Sequence, residues 1–197
     1  MQSIIIGLGY RAGSGKDTVA DLLRKRLEEA GLVVQRFKFA HNVREAAKLF
    51  LGPSDLDVYH PDFKTTPLSH LQMTGGQLLQ KIGHGMRELL GDDCWINSLA
   101  RNIDNWSIDM AEIPVQRIAI ISDVRYLNEA AWIESRNGTT IRVDRFVPQD
   151  DHPSETQGED IFWDTRIDNT KDLNSLNYQV EAFVSLFLDG IKDRHIY

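Results

Sequence analysis

The hydrophobic residues of this chain fall into two alternating rhythms. Ile4-Ile5-Ile6 is a continuous apolar run ending in Gly7-Leu8-Gly9, which predicts a strand buried on both faces. Val19, Leu22, Leu23, Leu27 and Ala30 then recur at steps of three and four until Gly31 stops them, which predicts a helix. The alternation continues with a strand over Leu32 to Ala40 and a helical stripe of Val43, Ala46, Ala47, Phe50 and Leu51, closed by Gly52-Pro53. Residues 53–75, with Pro53, Pro61 and Pro67, read as an irregular excursion. Leu78, Leu79, Ile82, Met86 and Leu89 form the next stripe. Gly83 and Gly85 interrupt it at a cost of about 1 kcal/mol each against alanine, so a helix break or a close ligand approach is expected there. Ile96, Leu99, Ala100 and Ile103 begin another helix.

Ile118 to Ile121 is a second wholly apolar strand, ending in Ser122-Asp123. A helix around 128–136, a strand over Thr139 to Phe146, a polar loop over about 147–160 and a short strand near Thr165–Asp168 follow. The last helix carries Leu176, Val180, Phe183, Val184, Phe187, Leu188 and Ile191 on one face. Strands alternating with helices predict right-handed parallel crossovers, hence one α/β domain with a central parallel sheet and helices on both faces. No internal repeat or low-complexity tract is present.

Composition changes this picture little. At 197 residues, 42% hydrophobic and 26% charged, the chain suits one compact soluble domain. A net charge of −7 argues against a passive binder of nucleic-acid polymers or anionic membranes, while leaving room for a local basic pocket. The single cysteine, Cys94, excludes an intramolecular disulfide and any multi-cysteine metal site; beside Trp95 it is expected to be a buried, inert thiol. No apolar run approaches the ~20 residues of a membrane-spanning helix, and no secretion signal opens the chain, so a cytoplasmic protein is expected.

The chemistry sits between the first strand and the first helix, in Gly13-Ser14-Gly15-Lys16-Asp17-Thr18. Strand, glycine loop and helix in that order make a phosphate-binding loop: backbone N–H groups turn inward, and the helix N-terminus adds partial positive charge. Lys16 would reach the phosphates, and the Thr18 hydroxyl would contact a phosphate or hydrated Mg²⁺. Two departures mark a variant loop. Tyr10 stands where the generic pattern has glycine, Gly9 falling one step early, and Asp17 delays the hydroxyl to Thr18. No guanine-reading Asn-Lys-x-Asp string occurs. Asp123-Val124-Arg125 closes the second apolar strand, at the sheet edge where open parallel sheets bind ligands. Asp123 would hold Mg²⁺ through water or accept a hydrogen bond from the acceptor, and Arg125 would grip a phosphate. The alternative is a strand-end ion pair. Glu129, one turn beyond, would orient Arg125 or contact a sugar.

At this point the chain resembles the bacteriophage deoxynucleoside monophosphate kinases, a branch of the P-loop NMP-kinase superfamily. The resemblance rests on residues 13–21, Phe39-Ala40, Leu78 to Gly83, Asp93-Cys94-Trp95, Ser122 to Arg125 with Asn128-Glu129, Asp151 to Glu155, and Asp168-Asn169, in family order across nearly the whole chain. It implies a three-layer P-loop fold with a helical NMP-binding part at about 41–106 and a lid at about 147–163. It implies an ATP site at residues 13–18 with Mg²⁺, and a dNMP site drawing on Arg11, Arg44, Gln80, Gly83, Trp95, Asp123, Arg125 and Glu129. Trp95 is equally a core position, Gln80 and Arg44 are equally solvated helix residues, and Arg11 is either a phosphate clamp or surface charge. Gly75-Gly76 occupies a stretch where an arginine is expected, and His84 replaces a threonine after Gly83; both departures bear on the acceptor pocket.

The reaction implied is direct transfer of the ATP γ-phosphoryl group to the nucleotide phosphate. Lys16, Asp123 and Arg125 would be catalytic, and a segment with Arg142, Arg145 and His152-Pro153-Ser154-Glu155 would close as a water-excluding lid or remain a surface loop. ATP and a dNMP are the expected small-molecule partners; a homodimer is left open. Two further readings stay open: a kinase for another metabolite such as dephospho-coenzyme A, and a nucleotide-binding regulator without transfer.

Overall fold

The computed structural model describes residues 3–52, 57–146 and 157–194. Residues 38–102 form one compact unit, and the described residues on either side of them form the other.

The larger unit is built on five parallel strands. They are β1 (Ile4–Gly9), β2 (Val33–Phe37), β5 (Arg117–Val124), β6 (Thr139–Asp144) and β7 (Thr165–Asp168), in the order β2-β5-β1-β6-β7. The helices are α1 (Lys16–Glu29), α5 (Leu127–Ser135), α6 (Leu173–Arg194) and the last turns of α4 (Cys94–Asp109). Alternate strand residues bury in opposite directions, as a sheet covered on both faces requires. One face joins Ile6, Leu8, Ile118, Ile120, Ile141, Val143 and Ile167 to Val19, Leu23 and Leu27 of α1 and Val180 and Val184 of α6. On the other face the Ile133 side chain of α5 lies against Gly7, where a Cβ would overlap it. The ring of Phe37 meets Trp106 edge-on at 5.6 Å between centroids. The strand order reverses at β1, whose neighbours are β5 and β6, so a crevice is expected at the carboxyl ends of these strands. The apolar runs thus become the buried strands expected of them. The second strand is shorter than the expected Leu32 to Ala40, because Phe39 and Ala40 already open a helix, α2 (Phe39–Leu51).

The 38–102 unit holds α2 (Phe39–Leu51), a short hairpin of β3 (Pro67–Leu68) and β4 (Met73–Thr74), α3 (Gly75–Leu90) and the start of α4. Phe39, Ala47, Leu51, Phe63, Leu78, Ile82, Trp95 and Leu99 are its buried residues of note. Two expectations fail here. The helix α3 runs unbroken through Gly83 and Gly85, so the expected break does not occur; a Cβ at Gly83 would make only ordinary contact with Val43 of α2 at 3.8 Å. Phe50 and Leu89, counted in apolar stripes, are 58% and 76% exposed. Gly75 has a structural reason of its own, since a Cβ there would run into the Phe63 carbonyl and ring. No arginine fits in its place. Cys94 is half-buried rather than fully enclosed.

Candidate active site

Between β1 and α1 the backbone turns through three residues of positive φ: Tyr10 at 98°, Gly13 at 76° and Gly15 at 92°. Gly13 and Gly15 reach these values without strain. Tyr10 occupies the position where the generic loop has glycine, adopts the glycine-like conformation, and is held there by burial and packing. Gly9, one residue earlier, is small for a different reason: a Cβ would penetrate the Trp163 ring. The Lys16 ammonium is buried inside the loop. It donates to the carbonyls of Tyr10 (3.1 Å) and Arg11 and lies 3.5 Å from Ser14 Oγ. The helix N-terminus and the ammonium beside it are the parts of an anion-binding arrangement.

The rim of the loop is cationic and aromatic. Arg142 of β6 lies with its guanidinium 3.7 Å from the Tyr10 ring centroid and bonds Asp144 through Nε at 2.6 Å. It is therefore a half-buried sheet residue beside the phosphate loop rather than part of a lid excursion. Arg11 faces the same ring at 5.2 Å and pairs with Glu159. Trp163, buried against Gly9, donates from its indole to the Gly158 carbonyl at 3.1 Å and so fixes this segment beside the loop. Arg145 is exposed just beyond β6. His152-Pro153-Ser154-Glu155 and residues 147–156 of the expected lid at about 147–163 lie outside the described residues.

Asp17 and Thr18 are exposed in the first turn of α1. Asp17 is engaged by Arg36 of β2, which also bonds Asp21 and approaches Ser122 Oγ at 3.5 Å. Asp123 is half-buried at the end of β5, with Arg125 two residues on. Glu129 is 2% exposed, and its Oε2 accepts from the backbone N–H groups of Arg125 (2.8 Å) and Tyr126 (3.2 Å), capping α5. Of the two roles expected for Glu129, these bonds bear on the one toward Arg125: they hold the backbone that carries it rather than its guanidinium. At the neighbouring sheet edge Asn169, just past β7, donates from its side chain to the Ser14 carbonyl at 2.9 Å.

No cluster of three or more His, Cys, Asp or Glu among the described residues could by itself hold a metal ion. Thr18 and Asp123 are sparse oxygen donors. That suits Mg²⁺, which keeps several waters and takes its other ligands from phosphates.

In the 38–102 unit the Trp95 indole donates to the Gly83 carbonyl at 2.9 Å, and Arg87 donates to the same oxygen at 3.2 Å. Trp95, for which a core position and a place near the nucleotide were both open, is buried with its indole N–H bonded. Gln80 is exposed. Arg44 donates to the Val58 carbonyl and lies 5.7 Å from the Tyr59 ring. Tyr59 O–H donates to Glu45 at 2.6 Å and lies 2.6 Å from His41 Nδ1. Burial first, and then the bond to Glu45, push the Tyr59 hydroxyl up from its ordinary value. A hydrogen bond from Lys48, and then one from Tyr59, hold the Glu45 carboxyl below its own.

Arg36, Glu159 and Trp163 had no role in the sequence reading, and Asn169 had none beyond its place in a pattern. The signals were slight: an arginine inside an expected strand, and a tryptophan directly after a polar loop.

No family model matches the chain. A protein of Acanthamoeba polyphaga mimivirus named "Putative deoxynucleotide monophosphate kinase" is 30% identical over 194 residues, covering 92% of this chain and 96% of its own. Solved structures with a similar course include TT1252 from Thermus thermophilus (16% identity, 94% and 98% covered, TM-score 0.45). The APS kinase CysC of Mycobacterium tuberculosis (14%, 94% and 98%, 0.44) and the shikimate kinase of Aquifex aeolicus (16%, 95% and 99%, 0.40) are similar to the same degree. At such scores the fold rests on the strand order and the loop between β1 and α1, not on these neighbours. The viral relative is another matter: its identity extends over nearly the whole of both proteins, and this chain belongs to that family of P-loop nucleotide kinases.

Proposed function

We propose that the chain is a deoxynucleoside monophosphate kinase, transferring the γ-phosphoryl group of ATP to a dNMP to give dNDP and ADP, and so supplying DNA precursors in the cytoplasm. The observation that carries this reading is the buried Lys16 ammonium inside a glycine loop at the N-terminus of α1, in a chain whose viral relative is named for that activity.

The acceptor phosphate is already anionic, so the protein has little proton chemistry to perform. Positioning and charge neutralisation supply most of the catalysis. Gly13, Ser14, Gly15, Asp17 and Thr18 cradle the ATP phosphates. Lys16 exchanges its carbonyl partners for phosphate oxygens and follows charge as it moves from the γ-phosphoryl oxygens to the β–γ bridging oxygen, which leaves as a terminal oxygen of ADP. Arg125, on a backbone fixed by Glu129, orients the acceptor phosphate for in-line attack. Arg11 and Arg142 line the rim of the donor loop, and Arg145 borders the expected lid. Arg44, Gln80, Gly83 and Trp95 belong to the unit proposed to recognise the dNMP; Gly83 and Trp95 act there by shaping it. Thr18 and Asp123, through water, would hold Mg²⁺, which would supply charge neutralisation when bound.

The test is ADP formation from ATP and Mg²⁺ across a panel of dNMPs, NMPs and dephospho-coenzyme A. Turnover that needs a dNMP supports the reading and ranks the bases. Turnover with dephospho-coenzyme A alone replaces the acceptor, and silence throughout makes the protein a binder. Lys16→Ala is expected to abolish transfer with an unchanged circular dichroism spectrum; turnover retained in that variant removes the loop from the mechanism.

A further inference from the structure

The phosphate loop is held from outside by a residue beyond the fifth strand of the sheet. Asn169 Nδ2 donates to the Ser14 carbonyl at 2.9 Å, and the same amide occupies the place a Gly15 Cβ would need. Gly15 is therefore glycine twice over, once for its φ of 92° and once for Asn169. Asn169 itself is anchored on two sides. Its backbone N–H donates to the Asp144 carbonyl at 2.7 Å. Its neighbour Asp168 exchanges two backbone hydrogen bonds with the Gln179 side chain of α6, at 2.9 and 2.8 Å.

A planar trans peptide sends its C=O and N–H in opposite directions. By drawing the Ser14 carbonyl toward itself, Asn169 turns the Gly15 N–H to the other side of the loop backbone. An Asn amide donor at this point thus sets the direction of a phosphate-loop donor without touching a ligand. We propose that Asn169 is a positioning residue for nucleotide binding, acting through the Ser14–Gly15 peptide. This rests on the kinase reading and assigns to it a residue outside the loop motif.

The experiment is calorimetric titration of the full chain with a non-hydrolysable ATP analogue and Mg²⁺, using wild type, Asn169→Ala and Asn169→Asp. Loss of the hydrogen bond in Asn169→Ala is expected to weaken analogue binding roughly tenfold. Asn169→Asp is isosteric but aims a carboxylate oxygen at the Ser14 carbonyl, so it is expected to bind more weakly than the alanine variant. In ¹H–¹⁵N spectra of the ligand-free chain, the Gly15 and Lys16 amides are expected to shift while most resonances stay in place. In turnover, the KM for ATP is expected to rise and that for the acceptor to hold. Equal binding by all three proteins, or an aspartate variant that binds like wild type, overturns the role of Asn169 and leaves the kinase reading intact. A wild-type chain that does not bind the analogue overturns both.

Discussion

The guanidinium of Arg142 lies 3.7 Å from the ring centroid of Tyr10, the residue that takes a positive φ where a phosphate loop ordinarily has glycine. Backbone strain at such a position costs about 1–3 kcal/mol and persists where the surroundings over-determine it. Here the surroundings are a ring enclosed to 9% exposure with a cation on its face. A double-mutant cycle between Tyr10→Leu and Arg142→Ala, read by denaturant unfolding, is expected to give a coupling of about 0.5–2 kcal/mol. Strict additivity would mean that ring and cation stand together without interacting.

Arg36 gathers Asp17 and Asp21 from the first turns of α1. Asp17 directly follows the loop lysine, so Arg36 offsets a carboxylate charge next to Lys16. Arg36→Met is expected to raise the KM for ATP several-fold, and Asp17→Asn in the same chain is expected to recover part of the loss. No recovery on removing the Asp17 charge would sink the electrostatic account.

Glu129 matters through two backbone N–H groups, those of Arg125 and Tyr126. Replacing it with alanine removes the carboxylate from two part-buried donors, and a stability loss of about 1–3 kcal/mol is expected from chemical denaturation. Because the same bonds hold the Arg125 backbone, turnover is expected to fall with the KM for the proposed acceptor rising more than that for ATP. A stable Glu129→Ala protein with unaltered kinetics would contradict both roles.

The Glu45 carboxyl is depressed by Lys48 and Tyr59, so the stability it contributes is present above the ordinary carboxylate value of about 4.3 and lost as pH falls through the lower folded value. Glu45 is partly exposed, which keeps the gain small. Wild type is expected to melt slightly above Glu45→Gln at pH 7, and the gap to close below about pH 4. Tyr59, shifted upward, works in the other direction: its contribution is present below about pH 10 and lost as pH rises. A wild-type advantage that grows on acidification would refute the assignment.

The sequence by itself determined the order of elements and the place of the phosphate loop. Wholly apolar runs such as Ile4-Ile5-Ile6 and Ile118 to Ile121 have few alternatives to a strand buried on both faces, and a glycine loop followed by a lysine and an amphipathic stripe is a local signal. Gly83 and Gly85 misled because propensity is a small term, about 1 kcal/mol for each glycine, and α3 runs on through both. What only the tertiary structure decided are the relationships between residues far apart in the chain. Asn169 reaches Ser14 across 155 positions, and Trp163 fills the space that makes Gly9 a glycine. Arg36 and Arg142 meet partners on other elements. Hydrogen bonds and close packing depend on distances of a few ångströms between side chains. Residue type and spacing along a strand or helix do not carry those distances; the parallel stacking of the five strands does.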